Sequence, residues 1–296
     1  MKKIFLTLAL AAICNMVSAQ SLGFLNVACD AAAAGLAGAG VALDADAWAA
    51  DNNVASAVLS ADKMSVGAGY GMYQPSALSS SVISAAGFAR LGSRFALAAS
   101  FRNFGEPEYT VTTADGRSGG SFKPSEMAAT LGAAFSVTQT LGVGVNVRMA
   151  SSSLGADAKA SAFCADVAAF YKAGALSAGL SVNNLGGKVN YGGSDYSLPA
   201  VVKAGAAYRI SGLVASLEAD YLLSGAFMAA AGAEYWIADM VALRAGYHYG
   251  PADAGIPSYA SVGLGAKFAG IRLNAAYLLA SESLGGTLFL GVGYCF

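Results

Sequence analysis

The chain ends in "GTLFLGVGYCF", and its last nine residues read in twos. Leu288, Leu290, Val292, Tyr294 and Phe296 share one parity; Phe289, Gly291, Gly293 and Cys295 share the other. Successive side chains of a strand point to opposite faces, so this run is a strand that is apolar on one face and nearly bare on the other. The pattern recurs. "LGVGVNVRM" sets Leu141, Val143, Val145, Val147 and Met149 against Gly142, Gly144, Asn146 and Arg148. "VVKAGAAYR" and "IRLNAAYLL" repeat it. About fourteen such segments begin near residues 63, 80, 94, 126, 140, 160, 176, 200, 213, 227, 240, 259, 271 and 287. Each runs roughly 10 to 13 residues, enough to cross a bilayer when tilted. An even count suits a closed antiparallel barrel with both termini on one side.

The connections fall into two classes. After even-numbered segments they are tight: "LGSR", "VTQT", "KAGA", "RISG", "IADM" and "FAGI". After odd-numbered ones they are mostly longer and polar, as in "NFGEPEYTVTTADGRSGGSFKPS" and "NNLGGKVNYGGSDYS". Outer-membrane barrels have this asymmetry, with short periplasmic turns and longer outside loops. On this basis the loops around Tyr109 to Phe122 and Asn184 to Ser197 face outside.

Charge placement agrees. Charged residues make up 12 % of the chain, against about 25 % in soluble domains, and mean hydropathy is +0.53. Along the segments, Arg102, Arg148, Asp166, Lys203, Glu218, Asp220, Glu234, Arg244, Lys267 and Arg272 all fall on the parity opposite the large apolar residues. A charge facing lipid at mid-depth costs about 2–4 kcal/mol, whereas one facing the lumen finds water or a partner. The expected fold is all-β: a transmembrane antiparallel barrel of about fourteen strands over 62–296, with outer-membrane lipid around it. Its polar lumen candidates are Arg148, Glu218, Asp220, Glu234, Arg244 and His248. Counting back across "IADM" sets Glu234 beside Arg244, which predicts an interior ion pair extending to Glu218.

The first twenty residues, "MKKIFLTLALAAICNMVSAQ", carry Lys2 and Lys3, a short apolar core and Ser18-Ala19. This predicts a signal peptide over 1–19. Cys14 follows Ile13 rather than the small residue of a lipobox. Residues 20–61 do not alternate and are rich in Ala and Gly. They are expected to form a hatch, with Asp30 to Ala55 folding into or against the mouth on the termini's side. Gly67, Gly69 and Gly71 of the first strand point inward beside Gly291 and Gly293 of the last, and this bare strip is the expected seat. Asp44, Asp46, Asn52 and Asn53 are the hatch candidates, to cap its turns, bond interior polar groups or remain solvated. Gly35, Gly38 and Gly40 lack the spacing and preceding strand of a phosphate loop.

Other chemistry is sparse. The mature chain keeps Cys29, Cys164 and Cys295, an odd number that reads as buried small hydrophobes. His248 is the only histidine, so no metal site, cofactor or catalytic triad is expected, and no enzyme. A net charge of -1 gives no reason to expect nucleic acid.

The stretch "GFLNVACDAAAAGLAGAGVALDADAWAADNNVASAVL" resembles the amino-terminal signature of the PorV/PorQ family of Bacteroidetes, relatives of the FadL fatty-acid transporter barrels. Asn53-Val54-Ala55 stands where the family has Asn-Pro-Ala. "LSVNNLGGKVNYGGSDYSLPAVVKAGAAY", "EYWIADMVALRAGYHYG" and "LNAAYLLASESLGGTLFLGVGYCF" extend the resemblance over the mature chain. It implies a fourteen-stranded barrel with an amino-terminal hatch and service to type IX secretion. Two functions stand as expectations. One is an accessory subunit of protein export or assembly at the outer membrane, with protein partners. The alternative is passive or hatch-gated uptake of a small hydrophobic ligand.

Overall fold

The computed structural model of the chain describes residues 22–296 except 76–78, 113–115, 156–157, 192, 252–253 and 281–283. The leader expected over 1–19, with Cys14, lies outside the described residues. The strands are β1 (Met64–Tyr73), β2 (Ser80–Leu91), β3 (Phe95–Gly105), β4 (Tyr109–Thr112), β5 (Ser118–Phe122), β6 (Ser125–Ser136), β7 (Leu141–Ser153), β8 (Lys159–Ala173) and β9 (Leu176–Gly186). They continue with β10 (Lys188–Tyr191), β11 (Ser194–Ser197), β12 (Val201–Ile210), β13 (Leu213–Leu222), β14 (Phe227–Ile237), β15 (Val241–Tyr249), β16 (Tyr259–Phe268), β17 (Ile271–Ala280) and β18 (Leu288–Cys295). Fourteen of them close into an antiparallel barrel, in the order β1, β2, β3, β6, β7, β8, β9, β12 to β18 and back to β1. Each barrel strand starts within one residue of its expected position.

The other four strands form two hairpins at the loop end, where the sequence reading had only polar loops. Both hairpins have a cross-strand aromatic pair. The rings of Tyr109 and Phe122 lie 5.8 Å apart, and those of Tyr191 and Tyr196 lie 6.0 Å apart. Pairs of this kind hold short strands together without a continuous alternating pattern.

The barrel closes where β1 meets β18, with Gly67 opposite Gly293 and Gly69 opposite Gly291. The seam runs to the last residue. Lys63 N donates to Phe296 O at 3.1 Å, and Phe296 N donates to Met64 O at 2.9 Å. At the turn end, Ser211–Gly212 and Ala269–Gly270 are two-residue connections with both φ values positive. Such turns match the twist of the strands and fix the register of the pairs they join.

Register decides which face each side chain takes. On β7, Val145 and Val147 are 54 % and 58 % exposed, while Asn146 and Arg148 between them are buried. Leu131, Phe163 and Leu217 are outward in the same way. The outer wall is a continuous apolar band, and Arg102, Arg148, Asp166, Glu218, Asp220 and Arg244 are buried inside. Lys267 keeps the inward parity but lies exposed near the turn end. The only large volume left for a core is therefore the lumen. It is filled by Leu22, Phe24, Leu25, Val41, Trp48, Val54 and Val58, all from the stretch before β1 and all buried.

The orientation of the barrel is testable by surface labelling. With the native cysteines replaced, Thr112→Cys on the β4 hairpin should react with an impermeant maleimide on intact cells, and Ser93→Cys in the β2–β3 turn should not. The opposite labelling would invert the topology.

Candidate functional site

Residues 22–61 circle the inner wall. At the loop end the Phe24 ring lies 5.4 Å from Phe104, and Asn26 Nδ2 donates to Pro199 O at 3.2 Å. Asp30 then caps a short helix, Ala31–Gly35, accepting from Ala32 N at 2.9 Å and Ala33 N at 3.2 Å. An aspartate here satisfies amides that the helix start leaves free. The helix lies against β16 and β17. Next, Leu36 and Ala37 cross β14 and β15, Val41 crosses β9 and β12, and Val54 and Ala55 cross β6 and β7.

At the tightest crossings the wall carries glycine, whereas against β2 and β3 it presents Phe88, Ala96 and Ala98. A Cβ at Gly246 would stand 2.6 Å from the Leu36 carbonyl carbon, and one at Gly205 would stand 2.6 Å from Val41 Cγ1. One at Gly142 would stand 2.5 Å from Ala55 O, and one at Gly179 would collide with Val41 O. These approaches leave no space for a side chain. The strip expected at the seam is only part of this surface. Gly67 faces Ala47, Gly69 faces the Cys29 carbonyl and Gly291 faces Ala31. Gly71, however, meets the Phe289 ring, and Gly293 meets only the backbone of β1. The segment also reaches beyond the turn-end mouth, with residues 22–26 at the loop end.

Polar side chains fasten the segment to the wall. Arg102 pairs with Asp51 through NH2 and donates to Val27 O at 3.1 Å. Asn146 Nδ2 donates to Ala50 O at 2.9 Å, and Ser261 Oγ to Gly35 O at 3.0 Å. Asn184, at φ 60 in a bulge of β9, donates to Asn26 Oδ1 at 3.0 Å and accepts from Arg148 NH1. Asp166 completes that cluster, 2.9 Å from Arg148 NH2 and 2.8 Å from Asn184 N. Sequence reading found Arg148 but not Asp51, Asn146, Asp166 or Asn184 as site residues. Inward parity was the available signal for Asn146 and Asp166, whereas Asn184 shares the outward parity of Leu176 and Leu180 and turns inward only through the bulge.

The structure distributes the hatch candidates unevenly. Asn53 is buried; it accepts from Ala55 N at 3.0 Å and donates to Val41 O at 2.9 Å and Ala169 O at 3.1 Å. Asn52 Nδ2 approaches Asp30 Oδ2 at 3.5 Å. Asp46 Oδ1 accepts from Trp48 N at 2.9 Å. Asp44 lies exposed at the rim, 2.7 Å from Lys172 Nζ and 2.9 Å from Arg209 NH1. Burial raises the pKa of Asp30 against the pull of the Ala32 and Ala33 amides. Burial and the charge of Asp30 raise that of Asp46. Burial also pushes the Cys29 thiol up to about 11, so it stays protonated.

Among the lumen candidates, Glu234 and Arg244 face each other in register, 2.6 Å apart. Trp236 Nε1 donates to the other Glu234 oxygen at 2.6 Å, and Arg244 NH1 donates to Asn274 at 2.9 Å. The pair does not extend to Glu218, which the sequence reading had expected. Glu218 lies on β13 beside β12, and there Lys203 Nζ is 2.9 Å from both Glu218 and Asp220. The other Glu218 oxygen accepts from Val41 N at 2.7 Å. His248 stacks on Tyr259, centroids 5.0 Å apart and planes 15° apart.

Among the described residues, cavities lie at both ends of the lumen and between them. A vestibule of about 650 Å³ lies at the loop end, lined by residues such as Phe24, Glu106 and Glu126. A chamber of about 90 Å³ is lined by Asp30, Lys203, Asp220 and His248. A turn-end cup of about 560 Å³ is lined by Asp46, Asp62, Arg244 and Arg272. Asn26, Val27, Tyr73 and Ile256 line both vestibule and chamber, while Asp30, Ala33 and Asn52 line both chamber and cup.

Two substitutions test these contacts. Arg244→Ala leaves the half-buried Glu234 without its ion-pair partner at the edge of the turn-end cup, a loss above the ~0–1 kcal/mol of an exposed pair and below the ~3–5 kcal/mol of a fully buried one. It should lower the unfolding temperature in a thermal melt, and Arg244→Lys should recover part of the loss. Gly179→Leu should push the segment off the wall. A cysteine at the buried Ala39, protected in the parent barrel, should then react with a small thiol reagent.

Solved structures share this architecture. The toluene transporter TbuX of Ralstonia pickettii matches with a TM-score of 0.64 at 14 % identity, covering 90 % of this chain and 97 % of its own. The toluene transporter TodX of Pseudomonas putida gives 0.65 at 14 %, covering 87 % and 95 %. A FadL homologue of Pseudomonas aeruginosa gives 0.59 at 16 %, covering 90 % and 98 %. At these identities the likeness shows a shared fold. No curated protein matches the sequence. Residues 12–212 match the family described as type IX secretion system protein PorV. With that match over most of its length, and with a closed fourteen-stranded barrel of the FadL type, the chain belongs to the PorV family of outer-membrane barrels.

Proposed function

We propose that this barrel is an accessory subunit of protein export or assembly at the outer membrane. The observation that carries the reading is the filled lumen. The barrel's own segment lies within hydrogen-bond or van der Waals reach of nearly every strand. A barrel closed in this way works through its outer surfaces, namely the lipid-facing wall and the loop-end hairpins with exposed Tyr109 and Val111. The family description points the same way. In this reading residues 1–19 are a cleaved leader, 20–61 a hatch and 62–296 the barrel. Asp46, Asn52 and Asn53 hold the hatch in shape, Asp44 ties it to the rim, Glu218 holds it to the wall through Val41 N, Arg148 braces the Asn184 that bonds Asn26, and Arg244 with Glu234 stiffens the wall beside it.

A second reading is hatch-gated uptake of a small hydrophobic ligand. The line of three cavities favours it, as does the shared fold with barrels described as toluene transporters. Mild-detergent purification of the tagged barrel from its host, with mass spectrometry, separates the two. The export role predicts stoichiometric outer-membrane protein partners that survive size exclusion. A lone barrel carrying a co-purified lipid or hydrocarbon would favour uptake instead.

A further inference from the structure

Four of the tight turns carry the same two-residue unit, a cation next to an aromatic residue: Arg94-Phe95, Tyr171-Lys172, Tyr208-Arg209 and Lys267-Phe268. Each stands where a barrel strand meets its turn, at the start of β3 or the end of β8, β12 and β16. The four aromatic side chains take the outward parity and are between 42 % and 72 % exposed. The Phe95 ring lies 5.1 Å from that of Phe135 on β6. Leu91, opposite Phe95, and Ile210, two residues past Tyr208, are outward as well. The apolar band therefore runs down to the tips of these turns. Aromatic side chains gather where a barrel's apolar band meets the lipid headgroups, so the turn tips lie in that layer. Neighbouring residues of a strand are only about 3.3 Å apart along it, which puts each cation at the depth of its aromatic neighbour.

Acids do not balance these cations. Asp44 is 2.7 Å from Lys172 and 2.9 Å from Arg209, so one carboxylate serves two of them. Arg94 and Lys267 are exposed and have no ion-pair partner among the described residues. Lys267 instead stands opposite Arg272 in the β16–β17 pair, and like charges so placed repel. The other charges of the rim cancel, Lys63, Arg90 and Arg272 against Asp62, Asp239 and the terminal carboxylate. The hatch carboxylates Asp30 and Asp46 also line the cup, and burial raises the pKa of both. Four cations against the one carboxylate of Asp44 leave a surplus of three positive charges in the four units. Lysine and arginine stems are long enough to pass over the rim and carry these charges into the headgroup layer. At the loop end the described charges cancel, Glu106, Glu108, Glu126 and Asp195 against Arg117, Lys123, Lys159 and Lys188.

We propose that the turn-end rim is a binding surface for the headgroups of anionic phospholipids. Phe95, Tyr171, Tyr208 and Phe268 lie along the glycerol end of the acyl chains, and the cation beside each meets the phosphate. A soluble anion or an acidic protein would need the cations but not exposed aromatic side chains at the same depth, and this favours the lipid. The surface is independent of the export and uptake readings, and any of the three can fail without the others.

The test is lipid retention by the full purified barrel, read by native mass spectrometry from micelles holding equal amounts of phosphatidylglycerol and phosphatidylcholine. One cation near an anionic lipid surface is worth about fivefold in affinity, so phosphatidylglycerol should be retained at least about fivefold over phosphatidylcholine. Arg94→Gln combined with Lys267→Gln, both at exposed positions, should cut that ratio severalfold without moving the unfolding temperature. Lys159→Gln combined with Lys188→Gln, at the loop end, should leave the ratio unchanged. Equal retention of the two lipids would overturn the proposal and leave the rim to an acidic protein. An unchanged ratio in the turn-end variant would overturn it too. So would displacement of phosphatidylglycerol by stoichiometric glycerol 3-phosphate, which would mark a site for a soluble anion.

Discussion

The close approach of a stretch of backbone to bare barrel wall is the constraint on which the rest of this structure depends. Val41, Leu36 and Ala55 come so near the strands that a single methyl group at Gly179, Gly246 or Gly142 could not be accommodated. Glycine in a strand gives up packing and chain entropy. Here the loss is offset by burial of the segment's own apolar residues, among them Leu25, Trp48 and Val58. Wall and segment are two halves of one core, and neither has an apolar face to bury inside the barrel without the other.

The same arrangement explains why the lumen tolerates so many charges. A lone ion on the inner wall would lose hydration to the segment lying over it. Most of the buried ions described here have an opposite charge within reach: Arg102 with Asp51, Arg148 with Asp166, Arg244 with Glu234. Side chains such as Asn146, Asn184 and Ser261 spend their hydrogen bonds on the segment's carbonyls or on Asn26. These bonds set direction and position, while the apolar contacts supply the bulk of the attraction. The Lys203 cluster, with two carboxylates to one ammonium, and Asp30, held by amides and Asn52, depart from this one-to-one matching.

Strand positions were legible because lipid imposes a strict rule. Outward positions must be apolar, so parity alone located fourteen strands, sorted the charges and set Glu234 opposite Arg244. The hairpins β4–β5 and β10–β11 were not legible. They stand clear of the membrane, where nothing enforces alternation, and one cross-strand aromatic pair in each replaces it. Glu218 was misassigned because parity gives the face but not the neighbour. It lies beside β12 and reaches Lys203, whereas Arg244 is two strands round the wall.

The sequence by itself determined the barrel: its strand count, its closure, its apolar exterior and the sidedness of its turns. All of these follow from local alternation and from loop length, quantities that a linear pattern contains. Only the tertiary structure decided the path of residues 22–61 and which wall residues meet them. Gly179 lies far from Val41 in sequence, and Asn184 far from Asn26, so no periodicity links either pair. Such contacts exist only after the strands have closed and defined the lumen into which the segment folds.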